Sequence, residues 1–160
     1  MAEAQAVKRT GIVASAAAVI ALASVVASHW EGKRNVPYRD IVGVLTVCYG
    51  ETHGVQDRTY SDAECKAMLD AGLSEADRAV RQCIHVDMPI TVEAALVDLT
   101  YNVGPSAVCG STIQKLALAG DWQGVCDQLP RWNKAGGEAV QGLSNRRADD
   151  RALCMNGVGE

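Results

Sequence analysis

The stretch Glu31-Gly-Lys-Arg-Asn-Val-Pro-Tyr-Arg-Asp40-Ile-Val-Gly-Val-Leu-Thr46-Val-Cys-Tyr-Gly50-Glu-Thr-His-Gly54 decides the reading of this chain. From Asn35 to Gly54 it mixes β-branched and aromatic residues with Pro37, Gly43, Gly50 and Gly54. That composition predicts a small sheet or hairpin bounded by turns. Directly after it, Ser61 followed by Glu64 forms a capping-box signature for a helix start. Cys65, Met68, Leu69 and Leu73 then recur near helical spacing up to Arg81.

The remainder reads as helix. Thr91 is a second candidate N-cap, with Val92, Ala95, Leu96 and Leu99 on one stripe before Asn102 and Gly104-Pro105 stop the segment. Shorter helices are expected over Ser111–Leu118, Trp122–Leu129 and Leu143–Cys154, with Gly136-Gly137 breaking the chain between the last two. Several helices around one small sheet imply an α+β domain. No linker or repeat comes after Ser28, so 29–160 is expected to be one domain and 1–28 a separate N-terminal segment.

That segment is distinctive. Lys8 and Arg9 precede an uncharged run from Thr10 to Ser28, which as a helix would extend about 28 Å, close to a hydrocarbon core of roughly 30 Å. Its charges place the N-terminus in the cytoplasm and export the rest of the chain. Only Ile12, Val13, Val19, Ile20, Leu22, Val25 and Val26 are large aliphatics, so it is a weak membrane-spanning helix. Such a marginal helix could enter the bilayer and later leave it; three readings are open: a signal peptide cleaved after Ala27, a permanent single-span anchor, and a buried Ala-rich helix of the folded domain.

Composition narrows the function. The net charge of −4 lacks the basic footprint that nucleic acid requires, so no nucleic-acid partner is expected. His29, His53 and His85 are isolated, and the 6 cysteines show no CxxC spacing, so neither metal nor cofactor is expected. An even, dispersed set of cysteines in an exported chain fits disulfides.

Glu31 and Asp40 stand nine residues apart, with Thr46 six further on. A glycosidase needs one carboxylic acid to protonate the leaving oxygen, and a carboxylate or polar group to manage a water. A Glu on a helix and an Asp on an adjoining strand can supply both. Among 19 acidic residues, however, such a spacing also arises by chance.

The block Glu31-Gly32, Pro37–Gly43 and Leu45–Gly50 resembles the active-site block of the phage lysozymes of glycoside hydrolase family 24. Tyr101-Asn102-Val103-Gly104, Gln128–Asn133, Ala135–Gly137 and Gly142-Leu143 with Arg146-Arg147 are similar to later family segments, so the likeness covers about 130 residues. The resemblance implies a lysozyme-like fold with a hairpin lobe and a helical lobe. It also implies hydrolysis of the β-1,4 bond between N-acetylmuramic acid and N-acetylglucosamine in peptidoglycan, with inversion. Glu31 would be the general acid, and Asp40 and Thr46 would hold the attacking water. Tyr101, Asn102, Trp132 and Arg146 are the expected substrate-binding residues. For Trp132 and Tyr101 the alternative is ordinary core packing, and for Arg146 and Arg147 a solvated helix face. Glu51 stands where the family often has His, which adds a carboxylate near the sheet.

The chain also resembles the signal-anchor-release subset of these enzymes. That implies an inner-membrane form, with the N-terminus cytoplasmic and the domain periplasmic, before release into the periplasm. With Glu31 three residues beyond Ser28, membrane tethering would silence the site. The subset's thiol-regulated members carry Cys at the position of Asp40, so all 6 cysteines are expected to be structural here. Six cysteines allow 15 connectivities; the expected one is Cys48–Cys65, Cys83–Cys109 and Cys126–Cys154, in a monomer. Two rivals remain: a lytic transglycosylase, and a membrane-anchored glycan-binding protein without catalysis.

Overall fold

The computed structural model describes residues 15–159. A first helix, α1 (Ala16–Glu31), starts at Ser15, whose hydroxyl accepts the Ala18 N–H, and ends at Gly32, where a φ of +66° turns the chain out of the helix. The chain then enters β1 (Arg34–Arg39) and returns through β2 (Leu45–Cys48) as an antiparallel pair, with Tyr38 opposite Thr46. This is the expected hairpin.

The next helix, α2 (Asp62–Cys83), carries the expected capping box: the Ser61 hydroxyl accepts the Glu64 N–H, and the Glu64 carboxylate accepts the Ser61 N–H. Then come α3 (Ile90–Val103), α4 (Thr112–Leu118), α5 (Trp122–Gln128) and α6 (Gln141–Met155). Two details differ from expectation. The cap of α3 is Pro89, and Thr91 lies inside the helix, where its hydroxyl donates to the Cys154 carbonyl. Gly136-Gly137 does more than break the chain, because it turns a second, two-residue hairpin of β3 (Lys134–Ala135) and β4 (Glu138–Ala139). Two positive-φ residues in succession suit a hairpin turn, which only glycine adopts without cost.

The main core gathers on α3 from α1, α2, α4 and α5, with Cys154 of α6 inside it. Every residue of α3 from Val92 to Thr100 is buried, so this helix is the axis on which the others pack. The hairpin lobe has its own small cluster of Val47, Cys48, Tyr60 and Cys65. All three disulfides pair as expected: Cys48–Cys65 ties β2 to α2, Cys83–Cys109 ties the end of α2 to the loop after α3, and Cys126–Cys154 ties α5 to α6.

α1 runs unbroken through Ser28, and its Val19, Ile20, Ala23 and Ala27 are buried in the main core. Among the described residues, no helix is long and apolar enough to cross a membrane. The first part of the expected span, residues 10–14, lies outside the described residues.

Candidate active site

Glu31 is the last residue of α1, and its partner comes from the far end of the chain. Arg146 on α6 donates through Nη1 to Glu31 Oε1 at 2.6 Å. The other edge of the same guanidinium holds Asp98 on α3, through Nε at 2.9 Å and Nη2 at 2.8 Å. Asp98 is fully buried and Arg146 nearly so, while the Glu31 side chain keeps 24% exposure. Burial works against the charge on Arg146, but Asp98 and Glu31 outweigh it and hold its pKa above the ordinary value. A second contact fixes the end of α1, with Trp30 Nε1 donating to Asp149 on α6 at 2.9 Å.

The reading of Arg146 and Arg147 as a solvated face is therefore corrected. Both are buried, and Arg147 lies 3.5 Å from Asp98 and 2.9 Å from Asp150. A charge with no water around it must find a counter-charge in the protein, and α3 and α6 supply it. Asp98 escaped the sequence reading. Its signal was a lone carboxylate inside the apolar run Ala94-Ala95-Leu96-Val97-Asp98-Leu99, a setting that demands a buried partner.

Asp40 and Thr46 are held locally. Asp40 begins the hairpin turn, where its Oδ1 accepts the N–H groups of Val42 and Val44, each at 2.9 Å. The buried Thr46 hydroxyl donates to the Val44 carbonyl at 3.0 Å. Both side chains are thus fixed to the main chain of Val44, one through its N–H and the other through its carbonyl. No hydrogen bond or ion pair links either of them to Glu31 among the described residues.

Tyr101 packs its ring edge over Gly72 of α2 so closely that a Cβ there would lie 2.8 Å from it. Burial, with the nearby charges of Glu31 and Glu51 adding to it, pushes its phenol up to about 12, so it stays a hydrogen-bond donor at neutral pH. Asn102 comes next, with a buried Oδ1 that accepts no hydrogen bond among the described residues. Trp132 and Tyr101 both pack partly buried against the main core. Glu51 accepts the N–H groups of Thr52 and His53 and so caps its own turn. Among the described residues no cluster of His, Cys, Asp or Glu could hold a metal ion.

Comparison with known proteins decides what this arrangement belongs to. The family model described as phage lysozyme matches residues 28–150. The chain belongs to the phage lysozyme family. As a phage lysozyme it is a glycoside hydrolase with the lysozyme-like α+β fold. The SAR-endolysin of Bacteriophage PS119 is 41% identical over 165 aligned positions, covering 98% of this chain and 99% of that one. The SAR-endolysin of Enterobacteria phage P21 is 44% identical over 129 positions, 79% of this chain and 78% of the other. Among solved structures, the active form of the P1 phage endolysin Lyz superposes with a TM-score of 0.79 at 26% identity, covering 94% of this chain and 99% of that chain.

Proposed function

We propose that this phage lysozyme cleaves the β-1,4 bond between N-acetylmuramic acid and N-acetylglucosamine, with Glu31 as general acid and with a water held by Asp40 and Thr46 as nucleophile. The observation that carries the reading is the coupling of Asp40 and Thr46 through Val44, on the hairpin that leaves directly from Glu31. Two groups fixed on one turn can hold a water against the anomeric carbon while the helix-borne acid protonates the departing oxygen. That division of labour gives inversion. Tyr101, as a donor, and Asn102 are the proposed contacts to the sugar acetamido groups. Trp132 offers an aromatic face to a ring. Arg146 acts from beneath, on Glu31.

Glu31→Gln tests this directly. Loss of a general acid costs about 10²- to 10⁴-fold in rate, so turbidity clearing of purified cell walls should drop by that amount while the melting transition stays in place. Mass spectrometry of the released sugars should find reducing ends. Anhydro ends would identify a lytic transglycosylase instead.

The same residues serve export. Residues 10–28 enter the inner membrane as a weak span with the N-terminus cytoplasmic, and on release residues 16–28 join the domain as most of α1. What supports this is the composition of that stretch: its Val19, Ile20, Ala23 and Ala27 fit the core, and the stretch carries no charge. While these residues are in the bilayer, Glu31 lacks the helix that seats it. The released form is a periplasmic monomer acting on peptidoglycan, with no nucleic-acid partner. Timed fractionation of expressing Gram-negative cells, with the intact mass measured, should find full-length chain moving from membrane to soluble periplasm. A product lacking residues 1–27 would replace release with cleavage.

A further inference from the structure

We propose that Asp98 is a positioning residue for the lytic reaction: by gripping one edge of the Arg146 guanidinium it aims the remaining Nη1 at Glu31 and offsets part of the positive charge Glu31 would otherwise face. The inference rests on the reading of Glu31 as general acid.

The geometry is that of a clamp. A guanidinium presents donors in a rigid planar fork. Asp98 takes two adjacent donors, Nε and Nη2, at 2.9 and 2.8 Å, which fixes the plane of the fork. Only Nη1 is left to point at Glu31, and it reaches one carboxyl oxygen, Oε1, at 2.6 Å. α6 carries the fork, α3 the clamp and α1 the acid, so one guanidinium sets the relation of three helices.

Charge gives the second half. An undivided guanidinium against a carboxyl group favours the ionised form, whereas a general acid must hold its proton. The other charged or titratable groups facing this spot are Arg147 on α6, Tyr101 on α3 and Glu51 after β2. Asp150 sits 2.9 Å from Arg147, and burial first, then the charge of Asp98, raise its pKa. Asp98 is the fully buried carboxylate that holds Arg146, while Asp150 faces Arg147.

The experiment is the activity–pH profile on purified cell walls for the wild type, D98N, D98E and E31Q, with melting temperature recorded alongside. In D98N the alkaline limb should move to lower pH by about one unit, with kcat reduced and KM little changed; D98E, which keeps the anion, should return the limb toward the wild-type position. A D98N enzyme that melts earlier but keeps the wild-type limb, while E31Q is inactive, would make Asp98 a stability residue only and overturn the inference. An active E31Q would overturn the reading beneath it. Should D98N fail to fold, D98N/R147M removes one buried cation with the anion and keeps the interior balanced. It should show a smaller shift in the same direction, and an unmoved limb there also overturns the inference.

Discussion

The two lobes hold their functional groups in opposite ways. In the hairpin lobe, Asp40 and Thr46 are fixed by backbone groups two to four residues away. In the helical lobe, Glu31 is fixed by Arg146, 115 residues distant in sequence, and Arg146 by Asp98. The hairpin half needs little more than its own turn and the Cys48–Cys65 bond. The helical half needs α1, α3 and α6 packed together. On the proposed roles, the part of the site that would handle water is locally encoded, and the part that would handle the proton depends on the whole fold being assembled. On the proposed export route, this would be a physical reason for a membrane-held α1 to leave the protein inactive.

The sharpest break in the comparison is Arg146→Met. It strips the buried Asp98 of both its hydrogen bonds and leaves it, among the described residues, only Arg147 at 3.5 Å, which costs about 3 kcal/mol in stability, measured by urea denaturation. It should also abolish most lysis. A variant with unchanged stability would mean that the buried cluster does not couple the three helices. Within the helical lobe, removing Cys126–Cys154 by paired alanines should cost about 3 kcal/mol, from the loop of 28 residues it closes. Removing Cys48–Cys65 should cost a similar amount in global stability, but it should loosen the hairpin first, read as faster amide exchange in β2.

Gly72→Ala probes the seam between the site and α2. The added methyl would meet the rigid edge of Tyr101 at 2.8 Å, so a loss of about 1–3 kcal/mol is expected, together with weaker substrate binding. An unchanged KM would remove Tyr101 from the proposed contacts.

A pH effect separates the lobes further. In the helical lobe Glu93 is buried beside Asp77, with Arg81 2.7 Å away. Burial, and then Asp77, push Glu93 up from 4.5 to about 7. Between those values the folded chain keeps a proton that the unfolded chain has lost, so stability from this group is full below about 4.5 and falls as pH rises through about 7. Glu93→Gln should flatten that decline in melting temperature between pH 5 and 7.5. A slope equal to the wild type's would assign the decline elsewhere.

The smallest expected effect lies on α1. Ala17 and Ala21 are exposed on the folded domain, so A17L/A21L should leave the melting temperature nearly unchanged. Each added leucine favours the membrane by roughly 0.3–0.6 kcal/mol, enough to slow the appearance of soluble enzyme. Unaltered fractionation would argue against release of this segment as the timed step.

Much of this was legible in the sequence. The hairpin between Asn35 and Gly54, the capping box at Ser61 and the order of the helices all arise from turn residues, caps and periodicity, which act over a few positions. The disulfide pairs came out as expected, joining cysteines that are consecutive along the chain. Asp40 and Thr46 were singled out by the family resemblance, and the hairpin fixes both to Val44. The burial of Arg146 and Arg147 was not. On α6 they look like any charged pair, and only the packing of α3 against α6 shows that their solvent has been replaced by Asp98 and Asp150. The run before Glu31 likewise reads as apolar from its composition. In the folded protein α1 packs on α3, and its Val19, Ile20, Ala23 and Ala27 lie inside the main core. Local patterns fix what is formed by neighbours along the chain, but a charge or an apolar face takes its meaning from what is packed against it, and that is settled only by the tertiary structure.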